Sequence, residues 1–292
     1  YNEYKHVSYR KYSHKFNGVD QAFLNKYLEK EITLSYTSID QYYKCGFLFY
    51  LERVLKFYRS TNQDALTIGN IFHECLHKLF LNEKIDNLDI FLGVTIKEYL
   101  KVNNIVPSKR EWFFIGKYQE ILKQIYQIIK TQHTNSAFQT LGLEKEYKIV
   151  INENYRIILT GKIDKVLVLE IAGEKYAIVI DYKTGNTDFD LNRIIHGLNM
   201  QIMFYFYFLN NSSSEKHLFG GGYLQGVLPN SVFSRDNKLS YAEQFNKYFQ
   251  LTGYSNSSLN VLQKIDFNID NNQKFIKGIR FKKDGTLDSN SL

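Results

Sequence analysis

The stretch Ile178–Gly185, with the sequence IVIDYKTG, is the most informative part of this chain. An apolar run rich in β-branched residues ends abruptly at Asp181, and Lys183 follows two residues later. Successive side chains of a strand point to opposite faces, so Asp181 and Lys183 share one face and Tyr182 takes the other. The pair is either a salt bridge that closes a strand or one part of a charged site.

A second carboxylate is predicted to lie beside Asp181. The runs 155–170 and 175–183 are rich in strand-forming residues and are separated by a hairpin turn. If that turn is centred on residues 172 and 173, Asp164 faces Asp181, and cross-strand Cβ atoms on one face lie roughly 5 Å apart. A slip of one residue would break this geometry.

Two carboxylates and a lysine in one cluster predict metal-assisted phosphate chemistry. Close carboxylates repel each other unless a cation lies between them, and their oxygens favour Mg²⁺ or Mn²⁺. Lys183 beside such an ion could neutralise charge on a phosphate in the transition state and help to orient an attacking water. A purely structural network of Asp164, Asp181 and Lys183 is the alternative.

The sequence GNIFHECLHKL, residues 69–79, offers a competing metal motif. His73, Glu74 and His77 match H-E-x-x-H on an amphipathic helix, which is the signature of zinc metalloproteases. No third zinc ligand is evident, and a protease would leave the carboxylate cluster without a role. His73 could instead reach that cluster as a nitrogen ligand, with His77 on the solvent side.

The apolar segment 198–209 carries one more polar pair. Gln201 and Tyr205 are four residues apart and share a helical face among side chains that look like core. A glutamine in such surroundings needs a polar partner, which the strand ends would provide. The segment is too short and too polar to span a membrane.

The overall composition favours a polyanionic partner and a reducing compartment. The 292 residues include 37 Lys and Arg against 30 Asp and Glu, a formal net charge of +7, which is typical of proteins that bind nucleic acid. The two cysteines, Cys45 and Cys75, exclude a disulfide framework and cannot supply the four thiolates of a usual iron–sulfur cluster. The charged start of the chain does not resemble a signal peptide.

The order of these segments predicts a mixed α/β domain. Residues 1–30 form a basic lead-in, residues 31–140 are mainly helical with a helix N-cap at Ser38, and residues 141–210 hold a β-rich core. Residues 211–292 are expected to add strands and a helix.

Taken together, these segments resemble the PD-(D/E)xK nuclease superfamily in its RecB-like branch. The corresponding motifs are G-x-x-x-H in GNIFH, G-x-I-D in GKID, D-Y-K-T-G in DYKTG and Q-x-x-x-Y in QIMFY. The flanking sequences LSYTSIDQYYKCGFLFYL, FGGGYLQGVLPN and FIKGIRFKKDGTL are similar to the C-terminal nuclease domain of AddB-type helicase–nuclease subunits. The similarity therefore covers about residues 31–292.

The resemblance implies a restriction-endonuclease-like α/β core and an Mg²⁺- or Mn²⁺-dependent deoxyribonuclease, an exonuclease that hydrolyses phosphodiester bonds. It further implies that His73, Asp164, Asp181 and the backbone carbonyl of Tyr182 are metal ligands, and that Lys183 is the catalytic lysine.

Three further residues take supporting roles by the same resemblance. Gln201 and Tyr205 would support the site or touch DNA, and Glu146 is the expected upstream acid. No iron–sulfur cluster is expected, because Cys45 stands where the first cysteine of the family's cluster lies and the remaining three are absent.

The resemblance also implies partners and a location. DNA, single-stranded at the active site, would be processed in the cytoplasm during repair of double-strand breaks by recombination. A helicase portion or a partner subunit would lie outside this chain, and a start without Met agrees with a fragment. The alternatives are a catalytically inactive DNA-binding relic and a zinc metalloprotease.

Overall fold

Six strands of the described chain form one mixed sheet with helices packed on both faces. The computed structural model describes residues 20, 22, 31–57, 63–82, 84–152, 156–185, 189–212, 214–228, 240–271 and 273–288. Apart from two positions, the predicted basic lead-in 1–30 lies outside this described part.

The strands and helices alternate irregularly along the chain. The strands are β1 (Ile32–Ser35), β2 (Gln139–Asn152), β3 (Ile157–Ile171), β4 (Glu174–Lys183), β5 (Leu218–Gly226) and β6 (Thr252–Ser255). The helices are α1 (Tyr36–Lys44), α2 (Gly46–Phe49), which continues as a π-helical turn (Tyr50–Val54), α3 (Gln63–Leu81), α4 (Leu88–Val102), α5 (Lys109–Thr134), α6 (Leu191–Ile194), α7 (Gln201–Asn211), α8 (Tyr241–Tyr248) and α9 (Leu259–Ile265).

The sheet order is β1-β3-β4-β5-β6, and β2 pairs with β3 outside this path. The pairs β2–β3, β3–β4 and β5–β6 are antiparallel, whereas β1–β3 and β4–β5 are parallel. This mixed sheet between helical layers matches the predicted α/β fold class.

The hairpin between β3 and β4 has the predicted register. The pairs run from Ile171↔Glu174 to Lys165↔Ile180, so Asp164 and Asp181 stand directly after the last of them. The turn residues Ala172 and Gly173 have φ values of 54° and 83°, as a tight two-residue hairpin turn requires. The expected placement of the two carboxylates on neighbouring strands is confirmed.

Three strands pair with β3, because one of its edges is divided between two of them. β2 follows β3 from Ile157 to Val168 and so occupies one edge. On the other edge, β1 pairs with residues 157–160 and β4 pairs with residues 165–171. Between them, residues 161–164 of β3 pair with neither strand. This gap in the sheet is where the candidate site opens.

The two faces of β4 belong to two separate cores. Ile178, Ile180 and Tyr182 pack in the core that includes α3, α4 and α5. Ala177 and Val179 pack in the core that includes α7. The alternation confirms that Tyr182 faces away from its neighbours Asp181 and Lys183.

Close approach of α7 to the sheet depends on a glycine of β5. A Cβ atom at Gly222 would overlap the side chain of Ile202, which is fully buried on α7. Because a larger residue at this position would push the helix outward, Gly222 helps to set the distance between α7 and the strands that carry the charged residues.

The helical half differs from the prediction at its start. Ser35, not Ser38, is the N-cap of α1 and accepts a hydrogen bond from the Ser38 backbone N–H, while Ser38 is buried within the helix. The preceding residues form β1, a strand inside the segment predicted as helical. β1 pairs with β3, which is remote in the sequence, so its local sequence alone does not predict this strand.

The predicted helical part contains a break. α4 ends at Val102 and α5 begins at Lys109 with a capping box between Ser108 and Glu111. The segment 275–287, in the part expected to add strands and a helix, makes only isolated bridges in its described residues. Among the helices described, none combines the length and apolar character that crossing a bilayer requires.

Lys165 is a buried lysine in the core beneath α3 and α5. Its side chain is 2% exposed, and its Nζ lies 4.8 Å from the centre of the Phe80 ring. It lines a cavity of about 20 Å³ together with Gln132 and His133. Burial lowers the pKa of Lys165 from 10.5 to about 8, because a charged ammonium is disfavoured in an apolar environment.

We expect Lys165→Met to stabilise the protein at neutral pH. The folded-state pKa lies below the unfolded value, so the charge destabilises the fold below pH 8, and this effect fades as the pH rises from 8 to 10.5. The substitution should raise the free energy of unfolding at pH 7 by about 2–3 kcal/mol. Urea denaturation at pH 7 and pH 10 measures this, with the exposed Lys130→Met as control. A loss of stability at pH 7 would contradict the prediction.

Candidate active site

A cleft of about 760 Å³ opens at the gap in the sheet. Its walls come from the start of α1, from α3, β2, β3 and β4, and from α7. The lining residues are Ser35, Tyr36, His73, Glu146, Tyr147, Lys148, Thr160, Gly161, Lys162, Asp164, Asp181, Tyr182, Lys183, Gln201 and Tyr205. Every site residue expected from the sequence therefore lies at one cleft.

Two residues of the cleft, His73 and Asp164, form with the adjacent Glu144 a group that could hold a metal ion. His73 Nδ1 lies 3.4 Å from Glu144 Oε1 and 3.4 Å from Asp164 Oδ1. One ligand atom from each residue falls within 4.8 Å of the others. Carboxylate oxygens suit hard cations such as Mg²⁺ and Mn²⁺, and an imidazole suits transition metals, so this donor set fits a divalent cation.

Asp164 is fixed in place by the neighbouring strand. Its Oδ2 accepts a hydrogen bond from the backbone N–H of Tyr182 at 2.7 Å, which leaves Oδ1 directed at His73. Lys162 contacts Glu144 through an Nζ–Oε2 ion pair of 2.5 Å. Each carboxylate thus has one oxygen held by the protein and one turned to the shared site.

The protonation of His73 reflects this acidic environment. Burial lowers the pKa of the imidazole, but hydrogen bonds and charge from Asp164 and Glu144 outweigh burial and raise it to about 10. A histidine that binds a metal ion must be neutral, so ion binding here would release a proton. In the absence of a metal ion, the positive charge of the imidazole reduces the repulsion between the carboxylates of Glu144 and Asp164.

A second cluster surrounds Asp181 on the α7 side of the sheet. Lys183 Nζ lies 2.6 Å from Asp181 Oδ2 and donates a hydrogen bond of 2.6 Å to Gln201 Oε1. The Gln201 amide and the Tyr205 hydroxyl both donate to Asp181 Oδ1, the latter at 2.9 Å. The glutamine of the apolar helix therefore has the polar partners expected for it, and it holds the acid and the lysine in one arrangement.

The charges of Asp181 and Lys183 depend on each other. Burial and the nearby Asp164 charge raise the pKa of Asp181, and Lys183 only partly opposes this. Burial lowers the pKa of Lys183, but the Asp181 charge outweighs it, so the net direction is upward. Lys183 is therefore protonated at neutral pH and can act as a cation but not as a base.

The acid expected at Glu146 has a neighbour that sequence reasoning missed. Glu146 is exposed and lines the cleft, but it is Glu144 that contacts His73. Leu143 and Lys145 pair with β3 while Glu144 between them has a φ of 49°, a left-handed conformation that non-glycine residues rarely adopt. The residue with this left-handed conformation is the one whose carboxylate contacts His73.

Tyr36 and Lys162 are further cleft residues that the sequence did not single out. Tyr36 is the first residue of α1, and its ring meets that of Tyr205 edge to face at 6.3 Å. Lys162 follows Gly161 in the part of β3 that pairs with neither β1 nor β4, and it forms the ion pair with Glu144. Lys162 is the variable position of the G-x-I-D motif and Tyr36 lies in a flanking sequence, so neither is a fixed residue of a motif.

The H-E-x-x-H motif does not assemble as a zinc site. Among the described residues, the group able to hold a metal contains His73 but not His77. Glu74 forms an ion pair with Lys78 at 3.4 Å, away from the carboxylates. The two cysteines are also in different surroundings, since Cys45 is exposed and Cys75 is buried.

Comparison with known proteins agrees with this geometry. The family model of the PD-(D/E)XK nuclease superfamily matches residues 33–254. The chain is 27% identical to the AddB-type subunit of an ATP-dependent helicase/deoxyribonuclease from Clostridium perfringens, over 90% of this chain and 25% of that protein. The subunits of the same name from Clostridium acetobutylicum and Caldanaerobacter subterraneus are 23% and 24% identical, over 99% and 96% of this chain and 27% of each relative. The chain thus spans about a quarter of the length of these relatives.

Proposed function

Because the chain belongs to the PD-(D/E)XK nuclease superfamily, we propose that it is an Mg²⁺- or Mn²⁺-dependent deoxyribonuclease domain that hydrolyses phosphodiester bonds. The observation that carries this proposal is that the group of His73, Glu144 and Asp164 lies beside the Asp181–Lys183 pair, with His73, Asp164, Asp181 and Lys183 lining one open cleft.

Each charged residue has a separate part in this proposal. His73, Glu144 and Asp164 would hold the ion, with Asp181 and the carbonyl of Tyr182 as the remaining candidate ligands. The bound ion would supply positive charge to the phosphate and lower the pKa of the attacking water. Lys183, protonated beside Asp181, would donate a hydrogen bond to a phosphate oxygen as negative charge develops on it.

Gln201 and Tyr205 act on the reaction through other groups. Gln201 bridges Lys183 and Asp181, and Tyr205 donates to the same Asp181 oxygen. Both are buried, so they are positioning residues that keep the lysine aimed at the cleft. Glu146 and Lys162 line the cleft wall, where they would face the DNA backbone or its counter-ions.

The names of the relatives extend the proposal to the whole protein. We propose that the domain serves as the exonuclease of a cytoplasmic helicase–nuclease, with a helicase portion or partner subunit outside this chain, in recombinational repair of double-strand breaks. A catalytically inactive DNA-binding relic is the second candidate. The complete set of charged residues favours the enzyme, because a relic has no need to keep buried carboxylates close together.

The direct test uses end-labelled single-stranded DNA with Mg²⁺ or with EDTA. The nuclease proposal predicts cleavage in Mg²⁺, recovery with Mn²⁺ and no cleavage in EDTA. DNA binding without cleavage under any divalent ion would support the relic. Absence of both binding and cleavage would overturn the proposed function.

A pair of histidine substitutions separates the nuclease from the zinc protease. His73→Ala should abolish or strongly reduce DNA cleavage, because it removes one member of the metal group. His77→Ala on the same helix, and Glu74→Gln beside it, should have mild effects. The readouts are cleavage rate and zinc content of the purified protein. If all three substitutions reduce DNA cleavage equally and the purified protein holds one zinc ion per chain, the zinc protease interpretation would be supported instead.

A further inference from the structure

Exposed aromatic rings continue from the cleft along α1 and α2. Tyr42, Tyr43 and Phe47 are 56%, 59% and 59% exposed. We call these three rings, with Tyr36 at the cleft, the aromatic track. Large apolar side chains in such a row mark an interaction surface when they adjoin a functional cleft.

The rings of the track are held in place from below. A Cβ atom at Gly197 would lie 2.6 Å from the Tyr43 ring, so this ring rests on glycine backbone and turns its other side outward. Tyr42 meets Tyr43 and Phe49 edge to face, with ring centres 5.8 Å and 5.5 Å apart. A ring that is fixed on one side and open on the other is suited to stacking.

The track is also fixed relative to the candidate active site. Asp40 accepts a hydrogen bond from the Asn199 backbone N–H at 3.0 Å, which ties α1 to the turn just before Gln201. Tyr36 lines the cleft, and Tyr42 and Tyr43 follow about 9–10 Å further along the helix axis. A strand with a phosphate in the cleft would therefore have its neighbouring nucleotides over these rings.

The charges around the track permit a polyanion to approach. Within residues 36–57, Lys44, Arg53 and Lys56 outnumber Asp40 and Glu52. Asp40 is paired with Lys44, and Glu52 accepts a hydrogen bond of 2.5 Å from the Gln41 side chain. The acids beside the track are therefore engaged, Asp40 by Lys44 itself, and Arg53 and Lys56 remain as exposed cations near the rings.

We propose that the aromatic track binds unpaired bases of single-stranded DNA and guides the strand into the cleft. The proposal rests on the proposed nuclease function and adds the surface that selects single strands. Bases stack on aromatic rings without regard to sequence, whereas the bases of a duplex are paired and stacked on each other and cannot reach these rings. Preference for single-stranded DNA would thus arise outside the catalytic cluster.

The test compares base stacking with backbone binding. The double variant Tyr42→Leu/Tyr43→Leu keeps apolar bulk over Gly197 but removes both ring faces. The matched control is Trp112→Leu/Phe113→Leu on α5, where two exposed rings lie outside the cleft lining. Affinity is measured in EDTA for oligo-dT and for an abasic oligonucleotide of the same length, so that no cleavage occurs.

We expect the track variant to bind oligo-dT at least about tenfold more weakly than the parent does, because each stacked base contributes about 1–3 kcal/mol. Its affinity for the abasic strand, and the control variant's affinity for both strands, should stay at the parent level. If the track variant binds oligo-dT as tightly as the parent protein does, the proposal is wrong, and a contact with another protein would be the remaining explanation for the exposed rings. Equal loss for oligo-dT and abasic DNA would also overturn it, because the contact would then be to backbone.

A second measurement needs no substitution and so does not depend on a variant that folds. Cys45 lies between α1 and α2 and is exposed, whereas Cys75 is buried, so a maleimide reagent labels one site selectively. Saturating oligo-dT should slow labelling of Cys45 several-fold, and abasic DNA should slow it less. An unchanged labelling rate with oligo-dT bound would overturn the track. If the parent binds no DNA at all, the proposed function fails first.

Discussion

Replacing Asp181 by asparagine is expected to lower Mg²⁺-dependent DNA cleavage by about 10²–10³-fold while leaving the protein folded. Asparagine nearly keeps the shape of the side chain and can still accept hydrogen bonds from Gln201 and Tyr205. It removes the charge that keeps Lys183 protonated and close, and the charge proposed to complete the ligand set. Cleavage of labelled single-stranded DNA measures the loss.

The stability of the Asp181→Asn variant distinguishes a catalytic cluster from a structural one. Burial raises the pKa of Asp181 above its ordinary value. The ionised carboxylate therefore destabilises the folded state at pH values above the raised pKa, and this destabilisation is lost as the pH falls to the ordinary pKa. A neutral asparagine removes the penalty, although Lys183 loses its counter-charge, and the two effects oppose each other. We therefore expect a small change in melting temperature in EDTA.

Two comparisons make the Asp181 result interpretable. Asp270→Asn removes one exposed negative charge and should leave both cleavage and melting at the parent level. DNA affinity in EDTA should be kept by Asp181→Asn, because the phosphate backbone supplies most non-specific affinity. Near-parent cleavage in folded Asp181→Asn protein would show that the active site is misplaced, and a large loss of stability with parallel losses of binding and activity would indicate a structural salt bridge.

The second large effect is expected at Glu144. Glu144→Gln should lower cleavage by about a hundredfold and reduce the increase in melting temperature that Mg²⁺ gives the parent protein. The amide keeps the size of the side chain but removes the negative charge with which the carboxylate attracts a cation. It also removes the charged partner of His73 and of Lys162. Thermal melting with and without Mg²⁺ provides a readout that does not depend on turnover.

Glu146→Gln is the matched control for Glu144→Gln. The two glutamates are two residues apart on the same strand, and both changes remove one negative charge. Because Glu146 does not belong to the metal group, its variant should keep the Mg²⁺ effect on melting and most of the cleavage. If Glu146→Gln is inactive and Glu144→Gln is active, Glu146 and not Glu144 would be the metal ligand, and the proposed metal group would be wrong.

The central hairpin was predictable because its information is local. β3 and β4 are joined by a two-residue turn, and side chains alternate with a period of two, so residues 172 and 173 fix the register that places Asp164 near Asp181. The face shared by Gln201 and Tyr205 follows in the same way from the helical period. The hairpin register places Asp164 and Asp181, and the helical period places Gln201 and Tyr205. The four residues meet because α7 packs against β3 and β4.

The missed features depend on contacts between distant parts of the chain. Glu144 and Glu146 have the same strand parity, and only the φ of 49° at Glu144 and the position of His73 separate them. β1 lies inside the segment predicted as helical, and its partner strand β3 is far along the sequence, so local patterns do not predict the pairing. In 275–287, the burial of Ile276 and Ile279 in the core below α8 and α9 explains the apolar pattern without strand pairing.

The divided edge of β3 has a consequence for how the protein folds. The strands β2, β3 and β4 are consecutive and can pair through short loops, whereas β1 must close the whole intervening helical region before it pairs with residues 157–160. Closing a long loop costs conformational entropy before the contacts that it allows can form. Pairing between strands that are far apart in the sequence is therefore expected late in folding. The wall of the cleft that carries Ser35 and Tyr36 would then be added to a preformed hairpin. On this order of events, a folding chain brings its acids together before the wall of the cleft proposed to contact DNA is in place.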